Sequence, residues 1–225
     1  MNYVVATTKS WNVENFKKLK KSDKTNHWFL INKPEDLLFN KLKKINPRFI
    51  FFPHWSWIIP SEIYDNFECV VFHMTDLPYG RGGSPLQNLI VRGKKKTKIS
   101  ALRVVKDLDA GPIYLKKDLG LEGSATEIFN RFSRTTFLAI KEIVKKNPIP
   151  HSQKGSPVIF KRRKPGESDI SDLDSLNKIY DYIRMLDAEG YPPSFLEKNK
   201  LRLDFSRAKL VKDGVLAEVK IKIIK

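Results

Sequence analysis

The stretch Arg48-Phe49-Ile50-Phe51-Phe52 decides the fold class. Its four consecutive apolar side chains suit a strand that is covered on both faces, as at the centre of a parallel sheet. Residues 68–73 have the same character, and residues 3–8 and 28–31 are further candidate strands upstream. Longer segments with helical periodicity separate these runs. This alternation predicts an α/β fold with a doubly wound, mostly parallel, Rossmann-like sheet.

The most regular helical pattern follows Ser124, where Ser124-Ala125-Thr126-Glu127 forms a capping box. The apolar residues of its predicted buried face are Ile128, Phe129, Phe132, Phe137, Ile140 and Val144. A polar linker at residues 150–156 comes next, followed by short strands and one amphipathic helix. We therefore predict a catalytic core at residues 1–150 and a small, mainly β carboxyl-terminal region at residues 151–225.

The composition excludes several classes of protein. The single cysteine, Cys69, excludes an internal disulfide, and no histidine or cysteine cluster has metal-site spacing, so we predict no metal. We see neither a signal peptide nor an apolar run of membrane-spanning length, so we expect a cytoplasmic protein that does not enter a membrane. The formal net charge of +17 favours a phosphate-bearing partner but does not choose between RNA, an anionic membrane surface and a small nucleotide.

Two motifs carry the candidate chemistry. His73 ends the apolar run at residues 68–73 and precedes a glycine-rich turn. A strand that ends in histidine places the imidazole at the carboxyl edge of a parallel sheet, where ligands bind in open α/β folds. The second motif, Asp107-Leu108-Asp109-Ala110-Gly111-Pro112, follows another predicted strand and supplies carboxylates.

Together these motifs resemble the formyltransferase family, whose pattern is a strand, His-x-Ser-Leu-Leu-Pro-x-x-Arg-Gly and a downstream Asp-x-Gly. The matching residues are His73, Leu77-Pro78, Arg81-Gly82, Pro85, Gln87, Asp109 and Gly111. The resemblance covers residues 48–145 and implies transfer of a formyl group from formyltetrahydrofolate to an amine. It also implies that His73 and Asp109 are the catalytic pair.

The resemblance implies binding residues as well. Residues 52–60 are similar to the segment that lines the folate pocket in this family, so the first wall of that pocket would be Trp55, Ser56, Trp57 and Ile58. The second wall would be the loop of residues 105–111, through Val105, Leu108 and Gly111. The expected acceptor-binding residues are Thr75, Arg81, Gly82, Gly83, Arg162 and Arg163, since guanidinium groups bind phosphate oxygens in pairs.

The carboxyl-terminal region indicates which class of acceptor the chain uses. Residues 160–165, 183–187 and 190–193 look like the region that follows the catalytic domain in sugar N-formyltransferases. Methionyl-tRNA formyltransferase, another member of the family, carries a longer carboxyl-terminal domain for tRNA. We therefore expect the acceptor, and thus the binding partner, to be a nucleotide-linked amino sugar. The alternative acceptor is methionyl-tRNA, and tRNA is accordingly the less favoured partner. The apolar residues 215–224 and the family resemblance favour a homodimer.

Position 71 departs from the family pattern, because Val71 stands where an asparagine usually precedes the histidine by two residues. Losing an oxyanion donor commonly costs about a hundredfold to a thousandfold in rate. His54, Thr75 or Asn88 could supply the donor, or protonated His73 could act alone. A further alternative is a non-catalytic formyltransferase-like binding protein. The sequence leaves these alternatives open.

Overall fold

The computed structural model describes residues 1–224. In chain order its strands and α-helices are β1 (Asn2–Ala6), α1 (Ser10–Ser22), β2 (His27–Ile31), α2 (Phe39–Ile45), β3 (Phe49–Pro53), α3 (Ser61–Tyr64), β4 (Cys69–His73), β5 (Tyr79–Gly82), α4 (Pro85–Val91), β6 (Lys96–Arg103), β7 (Ile113–Gly120), α5 (Ala125–Lys146), β8 (Val158–Phe160), α6 (Leu176–Arg184), β9 (Ser194–Lys198), β10 (Leu201–Val211) and β11 (Gly214–Ile223). Two short 3-10 turns, Pro34–Asp36 and Pro165–Ser168, complete the list.

The main sheet has six strands in the order β2-β1-β3-β4-β6-β7. β1 pairs in parallel with β2 and with β3, and β3 pairs in parallel with β4. The predicted α/β class with a mostly parallel sheet is therefore confirmed. Because β2 lies on one side of β1 while β3 and β4 lie on the other, the strand order reverses at β1. Open α/β sheets bind ligands outside the carboxyl ends of strands near such a reversal.

The centre of the sheet is the apolar core. Every residue of β3 is buried, and Ile50, Phe51 and Phe52 are at most 1% exposed. The continuous apolar run thus occupies the central strand that the sequence predicts. Removing this much apolar surface from water is the dominant favourable contribution to folding.

The strand β6 enters the sheet antiparallel to β4, with Ser100 opposite His73 and Arg103 opposite Val70. Its carboxyl end therefore lies beside the amino end of β4. β7 extends the sheet next to β6. The sequence pattern does not predict β7, because the charged run Lys116-Lys117-Asp118 interrupts its apolar residues.

The helix α5 begins at the predicted capping box. The backbone N–H of Ser124 donates to Oε2 of Glu127 at 2.7 Å, and the N–H of Glu127 lies 3.3 Å from Oγ of Ser124. These bonds satisfy N–H groups that the first turn of a helix leaves without intrahelical partners. On the buried face, Ile143 is fully buried and Val144 is half-buried.

The chain divides into two compact units. The first comprises Met1–Arg81, Thr97–Leu119 and Asn130–Ile159, and the second comprises Gly82–Lys96, Gly120–Phe129 and the chain from Phe160 onward. The second unit contains α4, α6 and an antiparallel sheet in the order β11-β10-β9, so residues 215–223 lie in its edge strand. The domain boundary near residue 150 stays a prediction.

Candidate active site

His73 is the last residue of β4 and lies at the carboxyl edge of the parallel strands, as the sequence predicts. Its side chain is 10% exposed and has an acceptor near each ring nitrogen. Nε2 lies 2.7 Å from the carbonyl oxygen of Gly80, and Nδ1 lies 3.5 Å from Oδ2 of Asp109. A neutral imidazole carries one N–H and can donate to only one of them. The site therefore provides an acceptor for each N–H of an imidazolium.

Asp109 reaches His73 from the loop between β6 and β7, residues 104–112. The strand β6 ends at Arg103, opposite Val70 near the amino end of β4. The loop must therefore run back along β4 for about three residues, or ~10 Å, to reach His73. Asp109 has a φ of +53°, a left-handed conformation that costs a non-glycine residue about 1–2 kcal/mol. Its side chain is only 12% exposed. The loop thus holds a largely buried carboxylate beside the imidazole.

Gly111 allows this loop to close on β6. The residue is buried, and a Cβ added to it would overlap the carbonyl oxygen of Arg103. The N–H of Arg103 donates to the carbonyl oxygen of Pro112 at 2.9 Å, which fixes the end of the loop. Position 111 therefore requires glycine for backbone packing, and its contact with folate stays a prediction.

Thr75 lies behind the histidine and is fully buried. Its hydroxyl donates at 3.2 Å to the carbonyl oxygen of Gly80, the oxygen that Nε2 of His73 faces. Ser100 supports this turn, because its hydroxyl donates to the carbonyl oxygen of Thr75 at 2.7 Å. Sequence reasoning missed Gly80 and Ser100, since one acts through its backbone and the other lies on a neighbouring strand. A role for Thr75 toward the acceptor stays a prediction.

The first predicted folate wall directly follows β3. Trp55 is half-buried, and its ring lies 5.7 Å from that of Phe52 and 5.1 Å from that of Trp57. Ser56 is exposed, Trp57 is 47% exposed and Ile58 is 82% exposed. Nε1 of Trp55 is buried and has no hydrogen-bond partner among residues 1–224. Exposed aromatic surface beside a buried N–H donor suits a flat heterocycle that carries an acceptor.

The second predicted wall is the loop that carries Asp109. Val105 and Leu108 expose 36% and 63% of their surface. The residue before them, Val104, packs against the same buried cluster as Trp55. The two predicted walls therefore rest on one part of the core.

Val71 lies on the same face of β4 as His73, because side chains alternate along a strand. It is half-buried and packs with Trp55 against the buried cluster, so the surface beside the histidine is apolar here. Two proposed replacement donors are already engaged. The hydroxyl of Thr75 donates to Gly80, and Nδ2 of Asn88 donates to three carbonyl oxygens of the second unit, those of Gly83, Ser84 and Lys161.

His54 follows β3 and packs against aromatic rings, with centroids 5.8 Å from Trp11 and 6.2 Å from Phe132. Burial lowers the pKa of His54 to about 3, and the positive charge of Lys9 acts in the same direction. The imidazole of His54 is therefore neutral near pH 7. His54 is thus not suited to replace the missing donor as a cation.

The neutral state of His54 predicts a loss of stability in mild acid. An exposed histidine titrates near pH 6.5, so between about pH 6.5 and 3 the unfolded chain binds a proton that the folded chain does not. Lowering the pH from 7.5 to 5.0 should cost about 2 kcal/mol of unfolding free energy through this group. Urea titrations at pH 7.5 and 5.0 measure this cost. His54→Asn, which tolerates the φ of +54°, should remove it, and an equal pH dependence in both chains would contradict the assignment.

Arg81 is half-buried and engages a glutamine of the same unit. Its Nε and Nη2 lie 3.1 and 2.8 Å from Oε1 of Gln153. Gln153 belongs to the polar linker of the sequence, and no sequence signal distinguishes it from its neighbours. The binding of acceptor phosphate by Arg81 stays a prediction.

The other predicted acceptor residues, Gly82, Gly83, Arg162 and Arg163, belong to the second unit. A Cβ at either glycine would overlap backbone atoms, of Phe160 for Gly82 and of Arg162 for Gly83. The guanidinium of Arg163 lies 5.3 Å from the ring centroid of Tyr182. Arg162 is exposed. Packing explains the two glycines, and the phosphate role of the arginines stays a prediction.

Residues 1–224 contain no group of three histidine, cysteine or acidic side chains that could hold a metal ion. Within the same range, every helix is too short or too polar to cross a membrane.

Comparisons with known proteins identify the family of the chain. A family model described as the carboxyl-terminal domain of methionyl-tRNA formyltransferase matches residues 165–222. The chain is 54% identical to a solved methionyl-tRNA formyltransferase from Clostridium thermocellum, with 99% of each chain covered and a TM-score of 0.97. It is 29% identical to the methionyl-tRNA formyltransferase of Campylobacter lari, over 82% of this chain and 62% of that protein. The chain therefore spans about three-fifths of that relative's length.

A sugar N-formyltransferase from Shewanella shares the fold, with a TM-score of 0.73, coverage of 94% of this chain and 99% of that chain, and 15% identity. Such low identity carries no information about the acceptor. The predicted amino-sugar acceptor and partner are wrong, because the relative that is 54% identical over 99% of its chain is named for methionyl-tRNA. A short carboxyl-terminal region does not indicate a sugar acceptor either, since that relative is matched over 99% of its own chain.

Proposed function

The chain belongs to the formyltransferase family, and on this premise we propose that it transfers a formyl group from formyltetrahydrofolate to the amino group of methionyl-tRNA. The observation that carries the proposal is the pairing of His73 with Asp109, 3.5 Å apart, at the carboxyl end of β4. The acceptor follows from the 54% identity to the Clostridium thermocellum protein over nearly the whole chain.

The reaction joins the acceptor nitrogen to the formyl carbon and breaks the bond from that carbon to the folate nitrogen. Negative charge develops on the formyl oxygen as the amine attacks, and a nearby donor lowers the barrier. The amine must lose a proton, and the leaving nitrogen must gain one. General acid and base groups therefore have two separate tasks.

His73 supplies the donor. Its Nε2 is held by the carbonyl of Gly80 at 2.7 Å, while the 3.5 Å separation on the Nδ1 side is at the outer limit of a direct hydrogen bond. The Nδ1 side is thus where a reacting oxygen fits. From there His73 donates to the formyl oxygen and protonates the departing nitrogen.

Asp109 supplies the base. Its carboxylate faces His73, orients the imidazole and accepts the proton of the attacking amine, directly or through water. Because both side chains are nearly buried, these interactions are stronger than they would be in water.

The folate is the source of the formyl group, and the residues fit its pterin ring. Trp57 and Ile58 offer exposed apolar surface, Trp55 offers a buried N–H, and Leu108 offers apolar surface from the loop. A pterin is flat and carries ring nitrogens and an oxygen that accept hydrogen bonds. These residues would therefore stack against the ring and orient it.

The charge supports an RNA acceptor. The second unit carries the exposed basic residues Lys94, Lys95, Lys96, Lys161, Arg162 and Lys164. Positive side chains bind RNA largely through phosphates, and the release of counterions makes such binding weaken steeply with salt. A cytoplasmic location remains part of the proposal, supported by the single cysteine, which is a buried free thiol.

A second candidate function is binding without turnover, and Val71 is the observation that favours it. The apolar side chain removes a donor position from the strand that carries His73. This candidate predicts that formyltetrahydrofolate binds but that no product forms. It also predicts that His73→Ala leaves the binding unchanged.

An acceptor panel tests the proposed function. Purified chain is incubated with formyltetrahydrofolate and, in separate tubes, methionyl-tRNA or nucleotide-linked amino sugars, and mass spectrometry detects the added formyl group. We expect formylation of methionyl-tRNA alone, with a rate at low substrate that falls as salt rises. Product on a sugar, or folate binding without any product, would contradict the proposal.

A further inference from the structure

Gln153, a residue of the first unit, connects the loop that carries Asp109 with Arg81. Its side-chain Nε2 donates to the carbonyl oxygens of Asp109 and Gly111, each at 2.8 Å. Its Oε1 accepts from Nε and Nη2 of Arg81, at 3.1 and 2.8 Å. Both N–H groups of the amide and both lone pairs of its oxygen are therefore used.

These bonds complete a closed path through the site. Arg81 follows Gly80, whose carbonyl holds Nε2 of His73, and Nδ1 of His73 faces Asp109. Gln153 then joins Asp109 back to Arg81. One amide thus fixes both the chain at Gly80 and Arg81, which holds the imidazole, and the backbone of Asp109, which carries the carboxylate.

The bonds from Gln153, which we call the clamp, hold the loop of residues 104–112 at its strained residue. Asp109 has a left-handed φ of +53°, and such conformations persist at functional sites when the surroundings hold them. The two carbonyls that Gln153 binds lie at and just beyond this residue. Without those bonds the loop can relax, and the carboxylate loses its fixed distance to Nδ1.

The backbone holds the Gln153 segment independently of its side chain. Two residues earlier, His151 pairs with Ile113 of β7, with N–O distances of 2.7 and 2.9 Å in the two directions. Changes to the side chain of Gln153 should therefore leave the segment beside β7. This makes the clamp testable without loss of the fold.

We propose that Gln153 is a positioning residue that sets the geometry of the His73–Asp109 pair by clamping the loop of residues 104–112 to Arg81. The inference rests on the proposed function, because the geometry matters to formyl transfer. Gln153 touches neither substrate and acts only through Asp109 and Arg81.

Kinetics provide the first test. Gln153→Ala should lower kcat for formylation of methionyl-tRNA by about 10- to 100-fold, since misplacement by about 1 Å can cost this much, with KM nearly unchanged. Gln153→Glu keeps an acceptor for Arg81 but loses the N–H donors, so it should be as slow as Gln153→Ala. The matched control is Ser152→Ala, an exposed neighbour, which should keep the wild-type rate.

A double-variant cycle separates positioning from general damage. If Gln153 acts through Asp109, then adding Gln153→Ala to Asp109→Ala should change the rate by less than about twofold. Effects that multiply in the double variant would overturn the proposal. So would a wild-type rate in Gln153→Glu, or equal rates in Gln153→Ala and Ser152→Ala.

Hydrogen exchange tests the clamp without any turnover. Peptides that cover residues 104–112 should exchange faster in Gln153→Ala by about tenfold or more, and should match wild type in Ser152→Ala. Unchanged exchange would overturn the clamp even in an active enzyme. If the wild-type chain never formylates methionyl-tRNA but Gln153→Ala still exchanges faster than wild type in this loop, the clamp is upheld and only the proposed function is rejected.

Discussion

His73→Ala should lower kcat/KM for formylation of methionyl-tRNA by about 10²- to 10⁴-fold, the range expected when one group is both oxyanion donor and general acid. No other described side chain on this face of β4 can take its place, because Val71 is apolar and the hydroxyl hydrogen of Thr75 is bound to Gly80. Initial rates at low methionyl-tRNA concentration measure the effect. Binding of folate, followed by tryptophan fluorescence, should change far less.

The control for His73→Ala is His27→Ala. His27 is exposed and begins β2, the edge strand of the sheet. This variant should keep the wild-type rate. A loss of less than about threefold in His73→Ala would show that the imidazole is not the donor, and would favour the binding protein.

Gly111→Ala should reduce activity by about 10²-fold or more and lower the unfolding free energy by about 1–3 kcal/mol. The added methyl group overlaps the carbonyl oxygen of Arg103, so the loop must move away from β6. Asp109 lies only two residues earlier and moves with it. Urea unfolding and formylation rates measured on the same preparation provide both numbers.

Gly214→Ala is the matched control for Gly111→Ala. A Cβ at Gly214 meets no atom within 4 Å, and its φ is outside the left-handed range. We expect a change in stability within about 0.5 kcal/mol and no change in rate. A Gly111→Ala chain with wild-type activity would mean that the loop can shift without disturbing Asp109.

The central strands are predictable because their signal is local. Phe49-Ile50-Phe51-Phe52 is buried on both faces, and a run of this kind has few other stable positions in a fold. The capping box at Ser124 is equally local, and its bonds form as expected. β7 escapes prediction because its charged residues find partners elsewhere, such as Glu142 for Lys117.

The site divides in the same way. His73 is predictable from its place at the end of an apolar strand, whereas the path of Asp109 depends on β6 running antiparallel to β4. Pairing direction is set by tertiary packing and has no local signature. The role of Gln153 cannot be predicted from the sequence for the same reason, since it arises from four hydrogen bonds to residues 42 to 72 positions away along the chain.

The acceptor is the part that the residues of the site do not specify. The formyl donor and the transfer step involve His73, Asp109 and the tryptophan segment. Acceptors of very different size can use the same donor and the same transfer step. The short tail points to a sugar only if tRNA binding needs a larger domain, and a relative of the same length named for methionyl-tRNA removes that argument.

The most direct test is a single-turnover reaction of the wild-type chain and Asp109→Asn with formyltetrahydrofolate and methionyl-tRNA, followed by mass spectrometry of the amino acid released from the tRNA. Asp109→Asn retains the shape of the side chain but removes the base and its charge. We expect formylmethionine from the wild type and a rate lower by about 10²-fold or more in the variant. Unmodified methionine from the wild-type reaction, or equal rates in both chains, would contradict the assignment.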